Sequence, residues 1–349
     1  MTLRPVRLRL LGAATTLVVL AGLAAGCGGD ADAAGNGTTI RYQTSPGLMN
    51  LAEMADALGY IDGIHLKNEG VVQGGPQALQ ALATGQVDLA GAFMGAVANV
   101  IANGTPIKGV LAYYGSDKNV YGALLTKDGS PITKPQDLIG KKVAVNTLGA
   151  QFEAVLDTWF TKAGMTQDQI KQVTLVPLPS INIEAALRNG QVDAGFLTGS
   201  LLVNALKTPG LSVLLKDTSL LGSFNGGSYE MTDAYLEDHP DTAQTFVAGM
   251  AKALHWVQTH STQQTLDVYT KYLDDHGQSD DAKALATWGG TGVATKGGVL
   301  RSTDYSNWTD WLQAQGLIKS DLDVSTLYTN QYNPYAGSAD GSAAGSGGN

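Results

Sequence analysis

The sequence predicts an α/β protein of two lobes, each a β-α-β-α-β parallel sheet with flanking helices, the lobes joined by hinge crossovers. Three observations carry this expectation. Residues 81–88, Ala-Leu-Ala-Thr-Gly-Gln-Val-Asp, match residues 186–193, Ala-Leu-Arg-Asn-Gly-Gln-Val-Asp, at six of eight positions, 105 residues further on. The order of apolar strands and amphipathic helices upstream of the two copies is the same. At 349 residues the chain is also near the limit that a single core fills.

Each copy reads as a helix closed by a glycine, Gly85 or Gly190, and followed by a short buried strand at 87–92 or 192–197. In the first unit a strand at 40–43 precedes a helix at 51–58, and Val71-Val72 supply the middle strand. In the second unit the strand is 143–146, the helix 152–162 and the middle strand 173–176. Parallel strands joined by helices need right-handed crossovers and a sheet covered on both faces, so each unit is one lobe. Residues 113–125 link the units, with strand-like 120–125 suited to a crossover. Beyond Leu215 the pattern turns helical. Thr232 caps a helix that meets Pro240; Phe246, Val247, Met250, Leu254 and Val257 recur at helical spacing; further helices are expected at 265–273, 281–288 and 305–315. Lobe 1 is then 39–121 with 221–336, and lobe 2 is 122–220.

Arg4, Arg7 and Arg9 precede an uncharged run at 10–23 that ends in Leu23-Ala24-Ala25-Gly26-Cys27. This is the layout of a secretion signal over 1–26, and the run is shorter than the roughly 20 residues that span a bilayer. The stretch resembles a bacterial lipoprotein lipobox. That resemblance implies acylation of Cys27 and a mature protein held by lipid on the outer face of the cytoplasmic membrane, the periplasmic side in a Gram-negative cell. Residues 27–38 are expected to be a flexible tether and 337–349 a disordered tail. Without 1–26 and its three arginines the formal charge moves from −9 to −12, which argues against nucleic acid or anionic headgroups as partners. Cys27 is the only cysteine, so no thiol remains for a disulfide or a zinc site.

In open parallel sheets ligands bind beyond the carboxyl ends of strands. The loops there are 44–50, 74–76, 92–99, 146–151, 178–182 and 197–200, rich in Gly, Ser, Thr and Asn and without Lys, Arg, His, Asp or Glu. Candidate ligand-binding residues are Ser45, Gly47, Gly74, Gly75, Phe93, Met94, Gly95 and Tyr114 in the first unit, and Thr147, Gly149, Gln151, Asn182, Thr198 and Gly199 in the second. Glycine lets backbone approach a ligand, and free N–H groups at helix starts favour anions. Turn and cap chemistry explains many of the same residues without any ligand. Core packing competes with a cleft role for Phe93 and Tyr114, and is the reading adopted for Phe152. Uncharged loops disfavour a cationic ligand. Amides alone can hold an anion, since a hydrogen bond to a charged group contributes roughly 1.5–3 kcal/mol and micromolar affinity needs about 8. Nearby aromatics favour a neutral or singly anionic organic solute over bare nitrate.

Other candidates fail on spacing. His255 and His260 lie on different helical faces, residues 321–323 lack the glycine of a calcium loop, and Gly298 and Val299 stand where a phosphate loop needs Lys and Ser/Thr. No catalytic residue, metal or cofactor is expected.

The order of elements resembles the substrate-binding proteins of bacterial ABC importers, in the family that serves nitrate, sulfonates, taurine and thiamine-pyrimidine precursors. The stretches that carry the resemblance are Ala57-Leu58-Gly59-Tyr60-Ile61, Gly75-Pro76-Gln77-Ala78-Leu79, residues 101–107, Leu138-Ile139-Gly140-Lys141-Lys142-Val143-Ala144-Val145, Tyr235-Leu236-Glu237-Asp238-His239-Pro240 and Gly316-Leu317-Ile318-Lys319. The resemblance implies a periplasmic-binding-protein type II fold, lobes that close on a small-molecule solute, and delivery to permease and ATPase components by a monomeric, non-enzymatic protein. Two alternatives stay open: a pyrimidine-precursor synthase-like enzyme, whose lysine and reactive His and Cys the candidate loops lack, and a ligand-sensing lipoprotein that serves a receptor.

Overall fold

The computed structural model describes residues 38–45, 47–72, 74–319 and 322–337; Cys27, the signal segment and nearly all of the tether and tail lie outside them. Lobe 1 opens with β1 (Thr39–Thr44), α1 (Leu51–Ala57), β2 (His65–Val71), α2 (Gly75–Ala83), β3 (Ala90–Phe93), α3 (Met94–Ala102) and β4 (Ile107–Ser116). Lobe 2 follows with β5 (Gly122–Lys127), β6 (Lys142–Val145), α4 (Gln151–Lys162), α5 (Gln167–Ile170), β7 (Thr174–Pro177), α6 (Ser180–Arg188), β8 (Ala194–Thr198), α7 (Gly199–Lys207) and β9 (Leu211–Lys216). The chain returns through α8 (Asp217–Leu221) to β10 (Phe224–Thr232), then α9 (Asp233–Asp238), α10 (Pro240–Thr259), α11 (Thr262–Asp275), α12 (Ser279–Ala284), α13 (Ser302–Ser306) and α14 (Thr309–Ala314).

The sequence repeat has a shared structural task. Asp88 Oδ2 accepts the Arg41 amide at 2.8 Å while the Asp88 amide donates to the Arg41 carbonyl. In lobe 2 Asp193 makes the same two bonds with Lys142, the side-chain one again at 2.8 Å. Each Gly-Gln-Val-Asp copy therefore ties its third strand to the first. The preceding helix can turn so sharply because Gly85 and Gly190 both sit at φ 72°, a left-handed conformation that glycine adopts without penalty.

Lobe 2 holds the expected parallel unit, lobe 1 only its β1–β2 pair, and both lobes carry antiparallel strands that the repeat does not reveal, among them β10, where the pattern beyond Leu215 was expected to be helical. In lobe 2 the order is β7-β6-β8-β5-β9, with β6 parallel to β7 and β8, and β5 antiparallel to β8 and β9. In lobe 1, β1 pairs parallel with β2, whereas β3 pairs antiparallel with β10 in the order β3-β10-β4. The middle strand of lobe 1 runs from His65 to Val71, upstream of the expected Val71-Val72; its mostly exposed side chains give no apolar alternation to read. The helix expected at 305–315 is split into α13 and α14 around Asn307-Trp308, and fully buried Trp308 fixes the break by packing edge-on to Phe93 and Phe224. The helix expected at 281–288 ends earlier, at Ala284.

Lobe 2 buries one sheet face under α6 and α7 through Ile183, Leu187, Leu197 and Leu202. Leu124, Val143 and Phe196 join α4 in the main core, where Phe152 stacks on Phe196 at 4.4 Å. Two crossovers connect the lobes, residues 117–121 and the return through α8. Asp217, fully buried, joins them: its Oδ2 accepts the Ser116 hydroxyl at 2.7 Å and the Gly122 amide at 2.9 Å. Burial pushes the pKa of this carboxyl up to about 6, against the opposing pull of its hydrogen bonds. A third tie comes from the C-terminal region, where Trp311 Nε1 and Gln315 Nε2 donate to Asp157 Oδ2 on α4 at 2.9 and 2.8 Å.

Candidate functional site

The strand-to-helix loops of the two lobes meet. A Cβ built on Gly74 would stand 3.4 Å from Thr147 Cγ2, and one on Gly226 of β10 would stand 2.7 Å from Gln151 Oε1. Five helices that follow these strands, α2, α3, α4, α6 and α7, start without a side-chain cap, so their first-turn N–H groups are left to solvent or a ligand. Glu153 modifies this on α4: its carboxylate accepts the Gly149 amide at 2.7 Å and brings a negative charge to the first turn. The residue lies two positions beyond the loop as read from sequence.

Three buried side-chain amide oxygens here have no hydrogen-bond partner: Gln43 Oε1 at the end of β1, Asn146 Oδ1 after β6, and Gln151 Oε1 at the start of α4. A buried polar atom left unpaired costs roughly 1–3 kcal/mol. Three of them in loops that bind ligands in this class of sheet point to groups that a solute supplies.

On lobe 1 a solvent-open crevice lies between the β1–α1 loop and an aromatic wall, lined by Gln43, Ser45, Asn50, Gly91, Tyr113 and Tyr229 among others. Tyr113 stacks on Tyr229 at 4.3 Å, and Tyr114 meets Tyr113 edge-on at 4.8 Å. Burial raises the pKa of all three hydroxyls, which keeps the wall neutral. Behind it, Glu230 is fully buried; burial holds its carboxyl well above the usual range and the Ser228 hydroxyl donates to it. Tyr114 itself lies on a glycine bed: a Cβ on Gly227 would stand 2.0 Å from its ring, and one on Gly226 2.7 Å. Two adjacent glycines in a buried strand allow this close approach.

The expected site residues divide into three groups. Ser45 lines the crevice; Gly74 faces Thr147 across the lobes, Tyr114 and Gln151 flank Gly226, Gly75 packs closely on Ala92, and Gly47 and Gly149 lie in the loops after β1 and β6. Phe93, Met94 and Gly95 belong to the core. Phe93 is 3% exposed, its ring edge-on to Trp308 at 4.8 Å and near Trp311 at 6.2 Å, Met94 is fully buried, and a Cβ on Gly95 would strike the Phe93 ring at 2.5 Å. Their side chains are thus directed into packing, and the start of α3 offers only backbone. Asn182, Thr198 and Gly199 follow β7 and β8, whose carboxyl ends lie at the same sheet edge as that of β6; Asn182 and Thr198 are exposed, and Thr198 Oγ1 donates to the Tyr121 carbonyl of the crossover at 3.2 Å. The sequence reading placed Asn146 in a candidate loop without singling it out, missed Gln43 and Tyr229, and did not weigh the Gly226-Gly227 pair, which lies in a strand where a helical pattern was expected.

The model of the family described as NMT1/THI5 like matches residues 54–264. The taurine-binding periplasmic protein of Escherichia coli (strain K12) is 28% identical over 220 residues, which cover 60% of this chain and 62% of that protein's length. The aliphatic sulphonate binding protein SsuA of Escherichia coli has a TM-score of 0.61 at 20% identity, over 84% of this chain and 92% of that one. The alkanesulfonate-binding protein SsuA of Xanthomonas axonopodis pv. citri, bound to MOPS, scores 0.63 at 18% identity, over 84% and 98%. At such identities the solved structures speak for a shared fold, the two-lobe periplasmic-binding-protein architecture. The family model spans more than half the chain, and by that measure the chain belongs to the NMT1/THI5-like family.

Proposed function

We propose that this protein is an extracytoplasmic solute-binding protein of an ABC importer. It closes two lobes on a small neutral or singly anionic organic solute, a sulfonate or a heteroaromatic vitamin precursor, and passes it to permease and ATPase components. The observation that carries the reading is the convergence of charge-free loops from both lobes, with the unpartnered amides of Gln43, Asn146 and Gln151 among them. Uncapped helix starts suit an anionic head, the unpartnered amide oxygens call for a hydrogen-bond donor on the solute, and the Tyr113, Tyr114 and Tyr229 wall suits a flat or apolar body. The taurine and sulphonate ligands named for the relatives place sulfonates first in the search. Ser45, Gly47, Gly74, Gly75, Tyr114, Thr147, Gly149 and Gln151 form the proposed site, joined by Gln43 and Asn146. Anchoring through acylated Cys27, action as a monomer and the lack of catalysis belong to the same proposal.

A calorimetric and thermal-shift screen of taurine, ethanesulfonate, an aminopyrimidine and nitrate tests it. Micromolar or tighter binding of an organic member is expected, equivalent to about 8 kcal/mol. Stabilisation by nitrate alone overturns the organic-solute reading, and no response to any of the four overturns the ligand class.

A further inference from the structure

Gly226 is the extra residue of a bulge. Asn225 pairs with Gly115 and Gly227 with Tyr114, so Gly226 has no partner on β4. The bulge is fixed from behind, because Asn225 Nδ2 donates to Thr295 Oγ1 at 3.0 Å and Asp304 Oδ2 at 2.8 Å, and its Oδ1 accepts the Ala294 amide at 2.9 Å. Gly226 is not among the glycines with positive φ, so its backbone would accept a side chain. What excludes one is space: a Cβ would stand 2.7 Å from Tyr114 Cε2 on its own lobe and 2.7 Å from Gln151 Oε1 on the other. Gln151 is 7% exposed, opens the uncapped helix α4, and its Oε1 is unpartnered. The end of a lobe-2 side chain thus occupies the space that a side chain at this lobe-1 position would need, beside the Tyr114 ring.

We propose that Gly226 is the seat for Gln151, and that this contact is the stop that sets how far the lobes close and hence how much room the solute has. This rests on the solute-binding reading for its purpose, but the stop itself can be measured without a solute. Gly74 and Thr147 provide the gauge. An ideal Cβ on Gly74 lies 3.8 Å from Thr147 Cβ, and disulfides have a Cβ separation of about 3.8 Å. In full-length protein carrying Cys27→Ser, the pair Gly74→Cys and Thr147→Cys should cross-link under mild oxidation. Adding Gly226→Ala should slow the cross-linking at least tenfold, and adding Gln151→Ala to that variant should return the rate to within about twofold. An unchanged rate with Gly226→Ala overturns the proposal, as does a loss that Gln151→Ala leaves in place, since the methyl then acts on Tyr114 within lobe 1 alone. If Gly226→Ala does not fold, Gln151→Leu decides: a branched end that cannot settle on the seat should slow the same cross-link, and an unchanged rate overturns the stop. With taurine as probe, Gly226→Ala should weaken binding at least tenfold. Should wild-type protein bind none of the four screened solutes while the cross-linking behaves as stated, the solute-binding reading fails and the stop stands.

Discussion

Asp217 Oδ2 accepts the Ser116 hydroxyl at 2.7 Å, so the start of one crossover is bonded to the start of the other. The same carboxyl is fully buried with its Oδ1 unpartnered, and burial raises its pKa from 3.8 to about 6. A carboxyl with a raised pKa in the folded state contributes stability below its unfolded pKa, near 4, and loses it as pH rises through 6. At 1.36 kcal/mol per pH unit, the loss across that window is about 3 kcal/mol. Asp217→Asn keeps an acceptor for Ser116 and removes the titration. Denaturant unfolding between pH 4 and pH 7 should show the variant gaining on wild type as pH rises; a pH-independent difference would refute this role of Asp217.

Phe93 and Tyr114 are adjacent to the same β-strand and are expected to fail differently. Phe93→Ala removes a ring packed on Trp308 and should cost roughly 3–5 kcal/mol of stability. Tyr114→Ala should instead weaken solute binding by about 1–3 kcal/mol, the range for stacking on an aromatic ring, as read by calorimetry. Equal losses of stability in both variants would place Tyr114 in the core with Phe93.

The paired aspartates of the repeat differ in what else they hold. Asp88 also binds the Arg41 guanidinium, with Nε to Oδ2 at 3.0 Å and Nη2 to Oδ1 at 2.7 Å. Asp193 has the backbone bond to Lys142. Asp88→Ala should therefore cost about 3 kcal/mol and Asp193→Ala about 1–2, since hydrogen bonds to charged groups contribute roughly 1.5–3 kcal/mol each before solvent screening. Chemical denaturation of the two variants checks the order, and the reverse order would contradict it.

For the proposed anchor, labelled fatty acid should be incorporated through Cys27, and Cys27→Ser should release protein into the medium. Membrane retention of the unlabelled serine variant would rule out lipid attachment at this cysteine.

Fold class was legible because the repeat places Asp88 and Asp193 at the same structural task, and because strands such as Val143 to Val145 are fully buried and read as apolar runs. Strand β2 was misplaced because an exposed edge strand needs no apolar alternation. The site was legible at the level of loops and only partly at the level of residues. Phe93 and Tyr114 look alike in sequence, and their difference comes from Trp308 and Trp311, more than 200 positions away, which close over one ring and not the other. Asn146 was placed in a candidate loop but not singled out, and Gln43 carries no local signal, because an amide inside a strand becomes informative only when its partners are seen to be missing.

The tie from Trp311 and Gln315 to Asp157 has a kinematic consequence when set beside the Asp217 junction. A body fastened at one point can swivel in any direction, whereas one fastened at two separate points keeps a single rotation, about the line through them. Helix α14 packs on α3 of lobe 1 and on α4 of lobe 2, and so supplies the second point. Two such points would give lobe 2 a door's motion in place of a ball joint's, and the proposed stop would then bring Gln151 to the same glycine on each swing.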